Sequence, residues 1–236
     1  MTQLMSNESR VPETENGQQG EYIAEQYNLM QRDIRDHGWL NDKVELLINE
    51  GVVSGDILEV GMGPGYLGLE WLKVVGREGH VTGLDIAADM VNVARRNSVE
   101  YGLEASTTYQ VGDALKMPFE DESFNHVISY GSLHEWNMPM EVFKEIDRVI
   151  RPGGRYCVID LRRDLDRQEI SFMRMNIATD MRKGFMSSVK ASYTRDELIK
   201  MLSGSVLESA KIQNVPLALC VSGQKSHSKN SSKNKL

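Results

Sequence analysis

The residues best suited to chemistry begin with Glu59-Val60-Gly61-Met62-Gly63-Pro64-Gly65, an apolar run that ends in a glycine-rich turn. Glycines let backbone approach a ligand closely, and a helix opening near Tyr66 would aim free N–H groups at it. Asp85 closes the next apolar run, where a carboxylate can accept both hydroxyls of a ribose. Gly63 to Gly68 also satisfies the G-x-G-x-x-G dinucleotide pattern, and a plain strand–helix connection could use the same glycines. Glu59 separates these readings. A carboxylate at that place repels a pyrophosphate and suits a ligand that carries an ammonium group.

A second set of candidates could act on a substrate. His134 has a side chain of near-neutral pKa at the exit of an apolar run, so it is a candidate general base, or else a buttress for its loop. His80 and His126 precede such runs and read as surface or turn residues. Glu135 and Trp136 follow His134 directly. Arg162 and Arg163 stand at the end of another run and could clamp an anion, unless Asp164 and Asp166 neutralise them. Cys157 and Cys220 lie among apolar neighbours as core thiols, too few for a disulfide framework or a structural zinc site.

The elements that must hold these residues follow from periodicity. Short β-rich runs occur at 56–61, 80–85, 107–112, 126–130, 155–161 and 216–222. Helix-period segments fill the gaps, at 87–101 and at 139–150, and Arg151-Pro152-Gly153-Gly154 is expected to stop the latter. The alternation implies a doubly wound α/β fold with a mostly parallel sheet and helices on both faces. Residues 164–191 break the rhythm with a Met-rich stretch that includes Met173, Met175, Met181 and Met186, read as a lid or insertion above the carboxyl ends of the strands. A capped helix then starts at Thr194, with Glu197 completing a capping box.

Composition bounds the rest. The 236 residues are 40% hydrophobic and 26% charged, enough for one sizeable core. Net charge is −7, and Lys225, Lys229, Lys233 and Lys235 bring a basic tail without acids, so the body is more acidic than the total. A nucleic-acid partner is disfavoured. Residues 1–20 and 224–236 read as disordered, which leaves 21–223 as the folded domain. The sequence offers neither a signal-peptide pattern nor a membrane-length apolar run, and the expectation is a cytoplasmic protein.

The ordered set of motifs resembles the class I S-adenosylmethionine-dependent methyltransferases, in particular small-molecule enzymes of the type 11 kind. Glu59 to Gly65 match the first motif, Asp85-Ile86 the acidic end of the second strand, and Val111-Gly112-Asp113-Ala114 the third signature. Val127 to Trp136 match the fourth strand and its exit. The resemblance implies a seven-stranded Rossmann-like sheet and S-adenosyl-L-methionine as cofactor. It assigns cofactor binding to Glu59, Gly61, Met62, Gly63, Gly65, Asp85, Ile86, Asp113, Ala114, Ser129 and Tyr130. It further implies an N-terminal helix folded across the cofactor, with Tyr27 beside His134 as a catalytic candidate. Tyr22, Glu135, Trp136 and Arg162 then become candidates for substrate contact. In-line methyl transfer to a small molecule requires no metal in principle, and none is assigned. A nicotinamide-dependent reductase and a non-catalytic S-adenosylmethionine-binding protein are the alternatives. Glu135 stands where relatives often carry a second histidine, which alters the charge at the pocket mouth.

Overall fold

A computed structural model of the chain describes residues 9–13, 20–179, 181–205 and 207–227; the expected N-terminal and C-terminal disordered segments otherwise lie outside the described residues. Two helices, α1 (Glu21–Asp36) and α2 (Asn41–Asn49), precede β1 (Gly55–Val60). The alternating core follows as α3 (Tyr66–Val75), β2 (Gly79–Asp85), α4 (Ala88–Glu100), β3 (Thr107–Val111), β4 (Phe124–Tyr130), α5 (Pro139–Val149) and β5 (Ile150–Leu161). Then come α6 (Arg167–Met175), α7 (Arg182–Ala191), α8 (Arg195–Leu202), β6 (Lys211–Val215) and β7 (Ala218–Gln224).

The seven strands are ordered β3-β2-β1-β4-β5-β7-β6, with β7 antiparallel to both of its neighbours. Order reverses between β1 and β4, and open α/β sheets bind ligands at the carboxyl ends of strands flanking such a point. Alternate side chains of the central strands feed two cores. Leu58, Val127 and Val158 pack with Phe143 and Ile146 of α5 and Leu198 of α8. Ile57, Ile128 and Ile159 pack with Leu47 of α2 and Trp71 of α3 on the other face. Each such side chain contributes roughly 1.5–3 kcal/mol by leaving water, so the sheet centre is the rigid part of the molecule.

Three sequence expectations change. Arg151 to Gly154 do not form a turn before the fifth strand; they belong to it, since Gly153 N–H and O=C of Gly154 pair with Lys225 of the neighbouring chain segment. The strand Lys211–Val215 has only Ile212 buried and so shows no apolar run. The Met-rich stretch folds into α6 and α7, and α6 opens with a capping box formed by Asp166 and Glu169. The expected box of Thr194 and Glu197 is present on α8. Cys157 and Cys220 are buried neighbours, 3.4 Å between sulfurs.

Candidate active site

The glycine turn leaves β1 at the reversal point of the sheet. Gly61 and Gly65 both have positive φ, +64° and +79°, and a side-chain carbon on Gly61 would overlap Ser132. Gly65 is the left-handed residue from which α3 starts. The turn is held from two sides. Asn97 of α4 donates to Pro64 O (2.9 Å) and to Asn28 Oδ1 (2.9 Å), and Tyr66 donates to the same Asn28 oxygen (3.0 Å), so α1 is anchored on the turn. Asp85 accepts from Gly63 N (2.9 Å) and from Ala87 N (2.9 Å). One carboxylate thus ties the end of β2 to the glycine turn, and each oxygen keeps a further lone pair for a ligand.

A cavity of about 340 Å³ opens above the carboxyl ends of these strands, within the range of small-ligand sites. Asp85 and Ile86 after β2, Asp113 and Ala114 after β3, and Glu135 and Trp136 after β4 all line it, together with Tyr27 and Gly61. A narrower recess of about 20 Å³ continues beneath Tyr27, bounded by Glu59, Gly61, Met62 and Tyr130. Glu59 is buried and accepts from Gly68 N (3.2 Å); burial raises its pKa to about 8, opposed by that N–H and assisted by Asp85. Burial also raises Asp85 above the ordinary carboxylate range, against its backbone N–H partners. Asp113 accepts from Leu115 N (2.8 Å).

His134 is set behind the acceptor end of the cavity. Its Nδ1 is 2.8 Å from Asp160 Oδ1, its backbone N–H donates to Asp160 Oδ2 (2.6 Å), and the pair is buried. Burial opposes a charge on the ring, but Asp160, with Glu135 and Glu13, outweighs it and raises His134 to about 9. Burial pushes Glu135 up to about 7; His134 lowers it, and Glu13 raises it with Asp85 and Asp160. Trp136 is fixed by a hydrogen bond to Ser132 Oγ (2.9 Å).

Several expected site residues are placed elsewhere. Ser129 points into the sheet and donates to Val60 O (2.7 Å). Tyr22 is 71% exposed on the outer face of α1, a helix whose inward positions are Ala24 and Asn28. Arg162 is paired with Asp164 (3.5 Å) and Glu169 (3.2 Å), so the adjacent acids neutralise it and it does not line the cavity. Gly63 and Gly65 shape the turn without lining either space, and the methionines of α6 and α7 do not line them either. Residues 9–13, expected within a disordered lead-in, lie against the end of α7. Arg10 donates to Ala191 O and to His134 O (2.9 Å) and stacks over the Tyr193 ring at 4.3 Å, while Glu13 accepts from Ser188 Oγ (3.0 Å). Few apolar residues are needed when a guanidinium finds carbonyls and a ring face. Sequence reasoning missed Glu13, and both Glu13 and Asp160 are far from His134 along the chain.

A switch-point cavity with a glycine turn, a carboxylate at the end of β2 and a buried carboxylate beside them suits a nucleoside ligand that carries an ammonium group. Residues 58–158 match the family model described as a methyltransferase domain. It is 29% identical to the 2-phytyl-1,4-naphtoquinone methyltransferase of Synechocystis over 65% of this chain and 66% of that protein. It is 32% identical to a ubiquinone/menaquinone biosynthesis C-methyltransferase of Pseudomonas paraeruginosa over 58% of this chain and 54% of the relative. The matches thus span between about half and just under two thirds of those proteins. A methyltransferase structure from Aquifex aeolicus superposes with a TM-score of 0.59 at 19% identity, covering 76% of this chain and 87% of that one, which speaks for the fold. The cofactor of the class, S-adenosyl-L-methionine, fits the residues present. Its adenosine needs hydrogen-bond acceptors and apolar walls, which Asp85, Asp113, Ile86 and Met90 offer, and its ammonium group needs a carboxylate, which Glu59 offers. Among the described residues no helix is long and apolar enough to cross a membrane.

Proposed function

We propose that this protein transfers a methyl group from S-adenosyl-L-methionine to a small, largely apolar acceptor of the quinone or aromatic type. The observation that carries the reading is the cavity at the sheet's reversal point, which brings the carboxylates of Asp85 and Asp113 together with Trp136, Val142, Glu135 and the Tyr27 ring. The two curated relatives are quinone methyltransferases by name, which supports the acceptor class.

When bound, the cofactor supplies an electrophilic methyl group for in-line displacement. The protein's work is alignment and exclusion of water. Asp85 receives the ribose hydroxyls, Asp113 and Ala114 meet the adenine edge, Ile86 covers a ring face, and Glu59 attracts the ammonium group. The half-buried Tyr27 ring lines both the cavity and the recess. On the acceptor side, Trp136 and Val142 give an apolar surface, and the Glu135 carboxylate accepts a hydrogen bond from an acceptor hydroxyl. His134, pinned by Asp160, positions the loop that carries Glu135 and Trp136.

Calorimetry is expected to show micromolar binding of S-adenosylhomocysteine and none of NAD; the reverse would restore the reductase alternative. Incubation with S-adenosylmethionine and a reduced 1,4-naphthoquinone should release S-adenosylhomocysteine, whereas cofactor binding without turnover on quinols or simple phenols would favour a binding protein.

A further inference from the structure

Glu13, His134 and Glu135 each bring one potential ligand atom within 4.8 Å of the other two. They come from an N-terminal segment and from the turn after β4, and one of them, Glu135, lines the cavity. Two features set this group apart from an ordinary surface cluster of acids. First, His134 is only 4% exposed, and its Nδ1 is committed to Asp160, so the ring cannot turn away. Its Nε2 makes no hydrogen bond among the described residues and faces Glu135 Oε1 at 4.0 Å. A histidine oriented by a carboxylate on one nitrogen and free on the other is the usual preparation of a metal ligand. Second, a carboxylate oxygen of Glu13 and one of Glu135 both lie within 4.8 Å of that imidazole and of each other, a mixed nitrogen and oxygen donor set brought together from two separate chain segments.

We propose that these three side chains form a divalent-cation site, with Glu13 and Glu135 as oxygen ligands and His134 Nε2 as the nitrogen ligand. One imidazole with two carboxylates suits a cation of intermediate hardness, Mn²⁺ or Zn²⁺, better than Cu(I) or Ca²⁺. Neighbouring ligands on such an ion, with bonds of about 2.1 Å, stand roughly 3 Å apart. Closing from 4.0 Å takes only a side-chain rotation of Glu135, which has 25% of its side chain exposed. Three protein ligands leave coordination positions open, and Glu135 puts the site at the border of the cavity. The site would therefore hold an acceptor that presents an oxygen, or a pair of neighbouring oxygens, to the ion. Glu13 is delivered by the contacts of Arg10 with His134 O and Tyr193, so cation binding and docking of residues 9–13 reinforce each other.

The test is titration of the full chain with Mn²⁺ alone, followed by electron paramagnetic resonance and calorimetry, and repeated with Zn²⁺. One ion per chain is expected to bind saturably, and Glu13→Gln and Glu135→Gln should each weaken it at least about tenfold. Glu208→Gln, on the loop after α8, should bind as the parent does. Glu13 lies outside the cofactor residues, so unchanged S-adenosylhomocysteine binding by Glu13→Gln reports an intact fold and keeps this result separate from the methyltransferase reading. Absence of saturable binding of either ion up to about 1 mM, a concentration at which even weak oxygen-ligand sites fill, would overturn the proposal. So would stoichiometric binding that both glutamine variants retain.

Discussion

The two ends of the cavity are built in different ways. The proposed cofactor end is built from Glu59 to Gly65, Asp85-Ile86 and Asp113-Ala114 at three successive strand exits, and Asp85 and Asp113 each accept from backbone two residues on, Ala87 N and Leu115 N. The acceptor end is composite, joining His134 to Asp160 across two strands and to an N-terminal segment through Arg10. Local construction yields a frame that many acceptors can share. Composite construction lets the acceptor end change by altering one distant piece at a time, and there this chain carries Glu135.

The largest expected effect lies at the cofactor end. On the proposed reading Asp85→Ala removes both a ribose acceptor and the partner of Gly63, so affinity for S-adenosylhomocysteine should fall roughly ten- to a hundredfold by calorimetry. Asp85→Asn, which still accepts one N–H, should lie between. Equal affinity in all three would remove the distinction between the two ends.

Glu59 sharpens the comparison through pH. In the folded chain it keeps its proton up to about pH 8, whereas an unfolded glutamate ionises near 4.5. Between these values the unfolded state binds fewer protons, so the stability of the unliganded protein should fall as pH rises through that window. An ammonium ligand favours the ionised form, and cofactor affinity should accordingly increase toward pH 8. Thermal melts and calorimetry of Glu59→Gln at pH 6, 7 and 8 should show both trends flattened.

At the acceptor end, Arg10→Ala should leave S-adenosylhomocysteine affinity unchanged and lower turnover about tenfold, because the segment that braces the His134 turn is released. A loss of cofactor binding in this variant would mean that the two ends are not separable. The smallest effect is expected from Arg162→Ala, whose partners are Asp164 and Glu169: turnover unchanged, stability lowered by about 1 kcal/mol in a denaturant melt.

The same contrast explains what could be read from the sequence. The placement of Glu59, Asp85 and Asp113 at strand ends beside the cavity and its recess could be read because strand, turn and helix are encoded in neighbouring residues with strong periodicity. The doubly wound order followed from alternation alone. His134 and Glu135 could be singled out by type, but not the carboxylates that govern them, because Asp160 and Glu13 reach them only through the folded sheet and the docked segment. Arg162 and Tyr22 were misplaced for the same reason: position at a strand exit or on a helix does not say which way a side chain turns when a closer partner or solvent is available. Ser129 shows the opposite error, a small polar residue beside the site that serves only to bond the neighbouring strand.

The Arg10 contact also has a meaning in time. Arg10 and Ala191 are 181 residues apart in sequence, so closing that contact carries a large loop-entropy cost until the sheet has already brought α7 into place. The Gly63–Asp85 contact at the proposed cofactor end closes a loop of only 22 residues. During assembly the molecule should therefore become competent to hold its cofactor before it becomes selective for what receives the methyl group.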